Sequence, residues 1–183
     1  MNYSKIKWYD ISNGPGVRAS LFVSGCTHKC PGCFNEVTWD FNYGDKWDTE
    51  TENKFINHLK KPEIVGVNIL GGEPLQQDET LLKLLKRINK EVQKPIWLWT
   101  GYVIDKEIHE DRTGKLVLAN QILRECDVVV DGRFVESKKD LSLKYRGSTN
   151  QRVIDIKETL KTSALSCGYS LFLDDFIVEL EGC

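Results

Sequence analysis

Val17-Arg18-Ala19-Ser20-Leu21-Phe22-Val23-Ser24-Gly25-Cys26-Thr27-His28-Lys29-Cys30-Pro31-Gly32-Cys33 sets the architecture, because a strand-like run here ends in a cluster of thiols. Val17 to Val23 reads as a strand entered from the turn Asn13-Gly14-Pro15-Gly16, where Gly and Pro punctuate the chain. Cys26-x3-Cys30-x2-Cys33 then places three soft ligands within eight residues. A 4Fe-4S cube has four irons and is normally held by four Cys thiolates, so a triplet leaves one iron open to a substrate. An open metal position marks a catalytic site rather than a closed structural one. With His28 inside the triplet, the same residues also admit a Cys3His zinc site, although zinc motifs usually present separated ligand pairs.

Outward from this stretch, β-rich and amphipathic runs alternate. Thr49 to Lys60 is expected to be helical, with Thr49 and Glu52 as a capping box, Phe55, Ile56 and Leu59 on one face, and Pro62 beyond the end. Ile64 to Leu70 reads as a buried strand broken by Gly71-Gly72-Glu73-Pro74, and Leu81, Leu84, Leu85, Ile88 and Val92 follow at helical spacing. Further strands are expected at Pro95 to Thr100, Asp127 to Val130 and Arg152 to Ile156, with a helix at Val117 to Glu125. Such alternation predicts an α/β fold of βα units with a mainly parallel sheet. In such sheets ligands bind at the carboxyl ends of the strands, which is where the cysteines, Gly71-Gly72-Glu73-Pro74 and Trp99-Thr100-Gly101-Tyr102 fall. A full eight-stranded barrel takes about 250 residues, so a chain of 183 is expected to form a partial, incomplete βα barrel.

The 25 Lys and Arg against 27 Asp and Glu, a formal charge of −2, give no footprint of nucleic-acid binding. No stretch approaches the roughly 20 apolar residues of a membrane span, and the first residues lack the apolar core of a secretion signal. A cytoplasmic protein is expected, with no nucleic-acid or membrane partner. Of six cysteines, three are clustered and Cys126, Cys167 and Cys183 are scattered, which fits metal ligation in a reducing compartment better than disulfides. Cys126, beside Asp127-Val128-Val129-Val130, reads as a buried small hydrophobe. His58 and His109 read as surface-helix residues without a role.

Several ordered segments carry a resemblance. They are Asp10-Ile11-x-Asn13-Gly14-Pro15-Gly16-x-Arg18, the cysteine triplet with Phe34-Asn35, Gly71-Gly72-Glu73-Pro74, Trp99-Thr100-Gly101-Tyr102, Asp131-Gly132-Arg133-Phe134 and Arg146-Gly147-Ser148-x-Asn150-Gln151. Together they resemble the radical S-adenosylmethionine superfamily and, within it, the glycyl-radical activases of anaerobic ribonucleoside-triphosphate reductase. The resemblance implies an incomplete barrel of radical S-adenosylmethionine type, a 4Fe-4S cluster on Cys26, Cys30 and Cys33, and S-adenosylmethionine as second cofactor. It implies reductive cleavage of that cofactor and a glycyl radical formed on the partner reductase, with a one-electron donor such as flavodoxin.

For the cofactor it implies contacts from Gly32, Cys33, Phe34, Asn35, Gly71, Gly72 and Glu73, with the glycines admitting its amino-acid end and Glu73 orienting its ammonium. No catalytic side chain is implied beyond the cluster and cofactor. Many superfamily members carry an aromatic just before the third cysteine; here that position is Gly32 and the aromatic is Phe34. Residues 1–156 are expected to form the activase domain. Residues 157–183 are expected to be a C-terminal extension packed on that domain or on a partner, since Leu171, Phe172, Leu173, Phe176, Ile177, Val178 and Leu180 are too apolar for a disordered tail. Alternatives left open are an activase of the formate-lyase type, a radical enzyme acting on a pterin-like metabolite, and a zinc or electron-transfer module. Asp131 to Phe134 and Tyr145 to Ser148 read equally as partner-facing loops or structural turns.

Overall fold

The computed structural model describes residues 1–108 and 116–160. Its strands are β1 (Asn2–Asp10), β2 (Arg18–Val23), β3 (Asp45–Lys46), β4 (Gly66–Gly71), β5 (Ile96–Trp99), β6 (Val128–Asp131) and β7 (Arg152–Asp155). Its helices are α1 (Thr49–Leu59), α2 (Glu79–Glu91) and α3 (Val117–Arg124). The strands form one seven-stranded sheet in the order β3-β1-β2-β4-β5-β6-β7, which does not close on itself. The α/β class is as expected. The sheet is less uniformly parallel than expected: β2, β4, β5 and β6 run parallel, whereas β1 and β3 at one side and β7 at the other pair antiparallel.

Each parallel neighbour is reached through a helix, as a crossover connection requires. All six residues of β2 and five of the six in β4 are buried, the pattern of strands covered on both faces. Alternation divides them. Ala19, Leu21, Val23, Val67, Ile69, Ile96, Leu98 and Val129 share one core with Phe55, Leu59, Leu81, Leu85, Ile88 and Ile122 of the helices. On the opposite face Trp97, Val128, Val130 and Val153 form a smaller cluster closed by Trp99 and Tyr145. On that face, too, Arg18, Ser20 and Asn68 are buried and joined by hydrogen bonds.

Helix α1 begins one residue earlier than a Thr49 capping box would have it. Asp48 is the cap, its carboxylate accepting from the Thr51 amide, and Glu52 instead accepts from Trp47 Nε1 and Arg87. Helix α2 is capped in the same way by Asp78, each cap supplying a partner to an otherwise orphaned first-turn amide. His58 is buried rather than on a surface, bonded to the Trp8 carbonyl and packed on the rings of Trp8 and Tyr9. His109, Cys167, Cys183 and most of the expected extension lie outside the described residues. Residues 156–160 are helical; Thr159 is buried, Leu160 packs on the main core and Lys157 pairs with Asp127.

Candidate metal centre

The loops after β2, β4, β5 and β6 meet at the carboxyl ends of the parallel strands. There they enclose a cavity lined by Cys26, Cys30, Cys33, Gly71, Gly72 and Glu73, with His28, Thr38, Trp39, Gly101 and Phe134 completing the wall. The cysteine loop leaves β2 through Gly25, whose φ of +103° belongs to the region glycine tolerates. Its second half is a tight turn: Pro31 and Gly32 are the central residues, Gly32 has φ +74°, and the Cys33 amide donates to the Cys30 carbonyl at 3.1 Å. Pro then Gly with positive φ is the signature of a type II turn, and it brings Cys30 and Cys33 to the same cavity. Lys29, between the first two cysteines, also takes positive φ, +47°, a conformation worth about 1 kcal/mol of strain in a non-glycine residue.

The loop after β4 is sewn to the cysteine loop through backbone. The Gly72 amide donates to the Val23 carbonyl at 2.8 Å and the Glu73 amide to the Gly25 carbonyl at 2.7 Å. A Cβ on Gly72 would stand 2.5 Å from the Gly25 carbonyl oxygen, and one on Gly71 2.6 Å from that of Val23. Close packing of the two loops therefore already demands both glycines. The Glu73 carboxylate is buried and accepts four hydrogen bonds: at Oε1 from Thr100 Oγ1 and the Leu75 amide, at Oε2 from the Gly101 amide and His28 Nε2. Its lone pairs are thus committed to holding three loops.

The three cysteines are free thiols, each partly buried. Burial pushes the Cys26 thiol up, Glu73 adding to the effect and the His28 amide opposing it. Burial also raises Cys30, helped by its neighbour Cys33 and opposed by Arg133. Such thiols are held as thiolates most readily by a cation or metal. Among the described residues no three or more His, Cys, Asp or Glu side chains converge on a single-ion position. Three soft thiols on a shared cavity fit a polynuclear iron-sulfur cluster, whose separate irons take separate thiolates. His28 has both ring nitrogens occupied, by Glu73 and Arg133, so the Cys3His zinc reading finds no support in this geometry.

Of the residues read from sequence, Cys26, Cys30, Cys33, Gly71, Gly72 and Glu73 are brought together. Gly32, Phe34 and Asn35 are not on the cavity wall: Gly32 makes the turn against Glu136, Phe34 is 89% exposed, and the Asn35 carbonyl accepts from Thr38 at the start of a short 3-10 turn. Sequence reasoning missed Thr100 and Gln76. Gln76 clamps Thr27 at backbone and side chain while donating to the Tyr102 hydroxyl. The segments Asp131 to Phe134 and Arg146 to Gln151 turn out to brace each other. Gln151 accepts from the Gly147 and Ser148 amides and donates to the Gly132 carbonyl, and Asn150 donates to that of Arg133.

A family profile described as a 4Fe-4S single cluster domain matches residues 12–154. The chain is 44% identical over 158 residues to the anaerobic ribonucleoside-triphosphate reductase-activating protein of Escherichia coli K12, covering 84% of this chain and 97% of that one. It is 41% identical over 156 residues to the protein of the same name from Haemophilus influenzae, covering 82% and 96%. The counterpart from Enterobacteria phage T4 is 37% identical over 156 residues, covering 84% and 93%. With its three thiols gathered on one cavity and these likenesses spanning nearly the whole of each relative, the chain belongs to the 4Fe-4S enzymes of the anaerobic ribonucleoside-triphosphate reductase-activating family.

Proposed function

We propose that the cavity holds a 4Fe-4S cluster on Cys26, Cys30 and Cys33, with S-adenosylmethionine beside it, and that the enzyme forms a glycyl radical on an anaerobic ribonucleoside-triphosphate reductase. When bound, the cluster would supply one electron to the sulfonium, whose cleavage yields methionine and the radical that takes a hydrogen atom from a reductase glycine. The chain's own residues do the rest. Gly71 and Gly72 present bare backbone opposite the cysteines, leaving room for the amino-acid end of the cofactor. Glu73 keeps that backbone in place through its four hydrogen bonds. Phe34 and Asn35, outside the cavity and just past Cys33, would meet the adenosine at its rim. Gly32 sets the turn that aims Cys33.

The observation that carries this reading is the meeting of the cysteine loop and the Gly71-Gly72-Glu73 loop at adjacent strand ends. An open sheet supports a partial barrel whose unclosed side admits a loop of another protein, where a metabolite would need a lid. Among the described residues no helix is long and apolar enough to cross a membrane; a one-electron donor such as flavodoxin belongs to the same proposal. Residues 157–183 are proposed as an extension packed on the domain or the reductase. Given reductant and S-adenosylmethionine without oxygen, the protein is expected to yield methionine, deoxyadenosine and a doublet glycyl-radical signal on the reductase, lost when the reductase's C-terminal glycine becomes alanine. Radical formation on a formate-lyase-type enzyme alone, or turnover of a free pterin-like metabolite, would overturn it.

A further inference from the structure

We infer that His28 is a positioning residue that locks the cysteine loop onto the loops after β4, β5 and β6, and through that lock sets the environment of the cluster and the affinity for S-adenosylmethionine. The second half of this inference rests on the function proposed above; the first does not. The His28 side chain is only 6% exposed although it lies in a surface loop between two cysteines. Three strand-end loops meet it. Its Nε2 donates to Glu73 Oε2 at 3.1 Å, Arg133 Nε donates to its Nδ1 at 3.3 Å, and its ring stands edge-on to Tyr102 with centroids 4.6 Å apart. Because an arginine can only donate, these partners assign the tautomer with hydrogen on Nε2.

Gly101 supplies an independent observation. A Cβ there would stand 2.5 Å from His28 Cδ2 and 2.9 Å from Nε2, and the position has no positive φ to require glycine. The glycine is needed because the imidazole is there. Arg133 is itself held by Glu107 at 2.8 Å and through its carbonyl by Asn150, so the ring is gripped from a braced wall. With both nitrogens engaged His28 lines the cavity without a ring nitrogen free to ligate a metal. It acts through the loop that carries Cys26 and Cys30, as outer partners of metal ligands do.

The test uses full-length protein reconstituted without oxygen as wild type, His28→Ala, His28→Gln, Gly101→Ala and the His28→Ala/Gly101→Ala pair, with iron and sulfide measured for each. His28→Ala is expected to keep wild-type iron but to give a shifted and broadened spin-resonance spectrum of the reduced cluster in the absence of S-adenosylmethionine, and to bind that cofactor about tenfold more weakly. His28→Gln, whose amide can donate to Glu73 and accept from Arg133, is expected to restore the spectrum and most of the affinity. Gly101→Ala should shift the spectrum like His28→Ala, yet add nothing in the His28→Ala background, since the clash has lost its partner. Loss of one iron's worth of metal in His28→Ala would make His28 a ligand and overturn the inference, as would an unchanged spectrum or additive effects in the pair. A wild-type protein that binds no S-adenosylmethionine would refute the proposed function, while the cofactor-free spectra would still decide the lock.

Discussion

At the amino ends of β2, β4 and β5, Arg18 is 2% exposed and its donors go to Asn68 Oδ1 at 2.6 Å, the Val67 carbonyl at 3.0 Å and the Pro95 carbonyl at 2.8 Å. At the carboxyl ends of the same strands Cys26, Cys30 and Cys33 are unpaired with one another and partly exposed around a cavity. Both ends are dense in polar contacts, but they close differently. Around Arg18 the network ends on itself: Asn68 donates onward to Ser20 and the Asn13 carbonyl, Ser20 to Asp10, and the cation lies over the Trp97 ring. Burial pulls the Arg18 pKa down to about 10, against the attraction of Asp127, so the side chain is still a cation near neutrality. Around the cysteines the hydrogen bonds run between loops and leave the sulfurs facing the cavity. One end uses polar groups to tie neighbouring strands together; the other uses them to gather three thiols on one cavity.

The largest separation between the ends comes from the thiols. Cys26→Ala, Cys30→Ala and Cys33→Ala are each expected to abolish 4Fe-4S assembly, read as iron and sulfide per chain, with the fold retained by circular dichroism. Cys126→Ala should keep full iron. That thiol is wholly buried, held up by desolvation and bonded to the Ile122 carbonyl, so it is a core group and not a ligand. A wild-type iron content in any of the first three variants would erase the distinction.

The amino end is expected to answer in stability instead. Arg18→Met takes the donor from buried Asn68 Oδ1 and the second hydrogen bond from the Val67 and Pro95 carbonyls, which keep only their strand partners, at a cost of about 3 kcal/mol. The urea midpoint should fall at an unchanged slope, with iron per folded molecule unaltered. A loss of iron at unchanged stability would show that the two ends are coupled through the strands.

Asp10 gives a smaller, pH-dependent version. Burial alone would raise its pKa; hydrogen bonds from Ser20, Asn13 and the Ser12 amide, with Lys7 nearby, outweigh that and hold it below the ordinary carboxylate value. A depressed folded pKa contributes stability above the unfolded value of about 3.9, and that contribution is lost as pH falls through the folded one. Asp10→Asn should therefore cost about 1 to 2 kcal/mol at pH 7, and the gap to wild type should narrow in denaturation curves taken below about pH 4.

The two ends also differed in how openly the sequence displayed them. The cysteine triplet and Gly71-Gly72-Glu73-Pro74 are local signals, compact in sequence and set by backbone chemistry, and the strands and helices flanking them follow from periodicity. What stayed hidden depends on distant partners. His28 meets Glu73 and Arg133, which lie 45 and 105 positions away, and no spacing rule pairs them. Arg152 lies between Asp105 and Asp131 for the same reason of topology. Strand β1 was missed because Asn-Tyr-Ser-Lys-Ile-Lys-Trp-Tyr-Asp is only half-buried and never alternates cleanly; pairing with β2 makes it a strand. The parallel expectation failed at the sheet's sides, where β1 joins β2 and β6 joins β7 through connections that carry no α-helix, the second holding only a 3-10 turn at Glu136–Lys138.

The smallest expected effect compares two exposed apolar side chains, Ile11 at 77% in the turn after β1 and Phe34 at 89% just past the last cysteine. Neither is packed, so Ile11→Ser and Phe34→Ser should each leave stability within about 0.5 kcal/mol of wild type in urea denaturation. They should part company in cofactor binding. A ring beside Cys33 that can fold over adenine adds an aromatic contact worth about 0.6 kcal/mol, so Phe34→Ser is expected to weaken S-adenosylmethionine binding by about threefold while Ile11→Ser leaves it unchanged. Equal affinity in both variants would remove Phe34 from the site and leave the adenosine to the cavity wall, where Trp39 and Phe134 are the aromatics at hand.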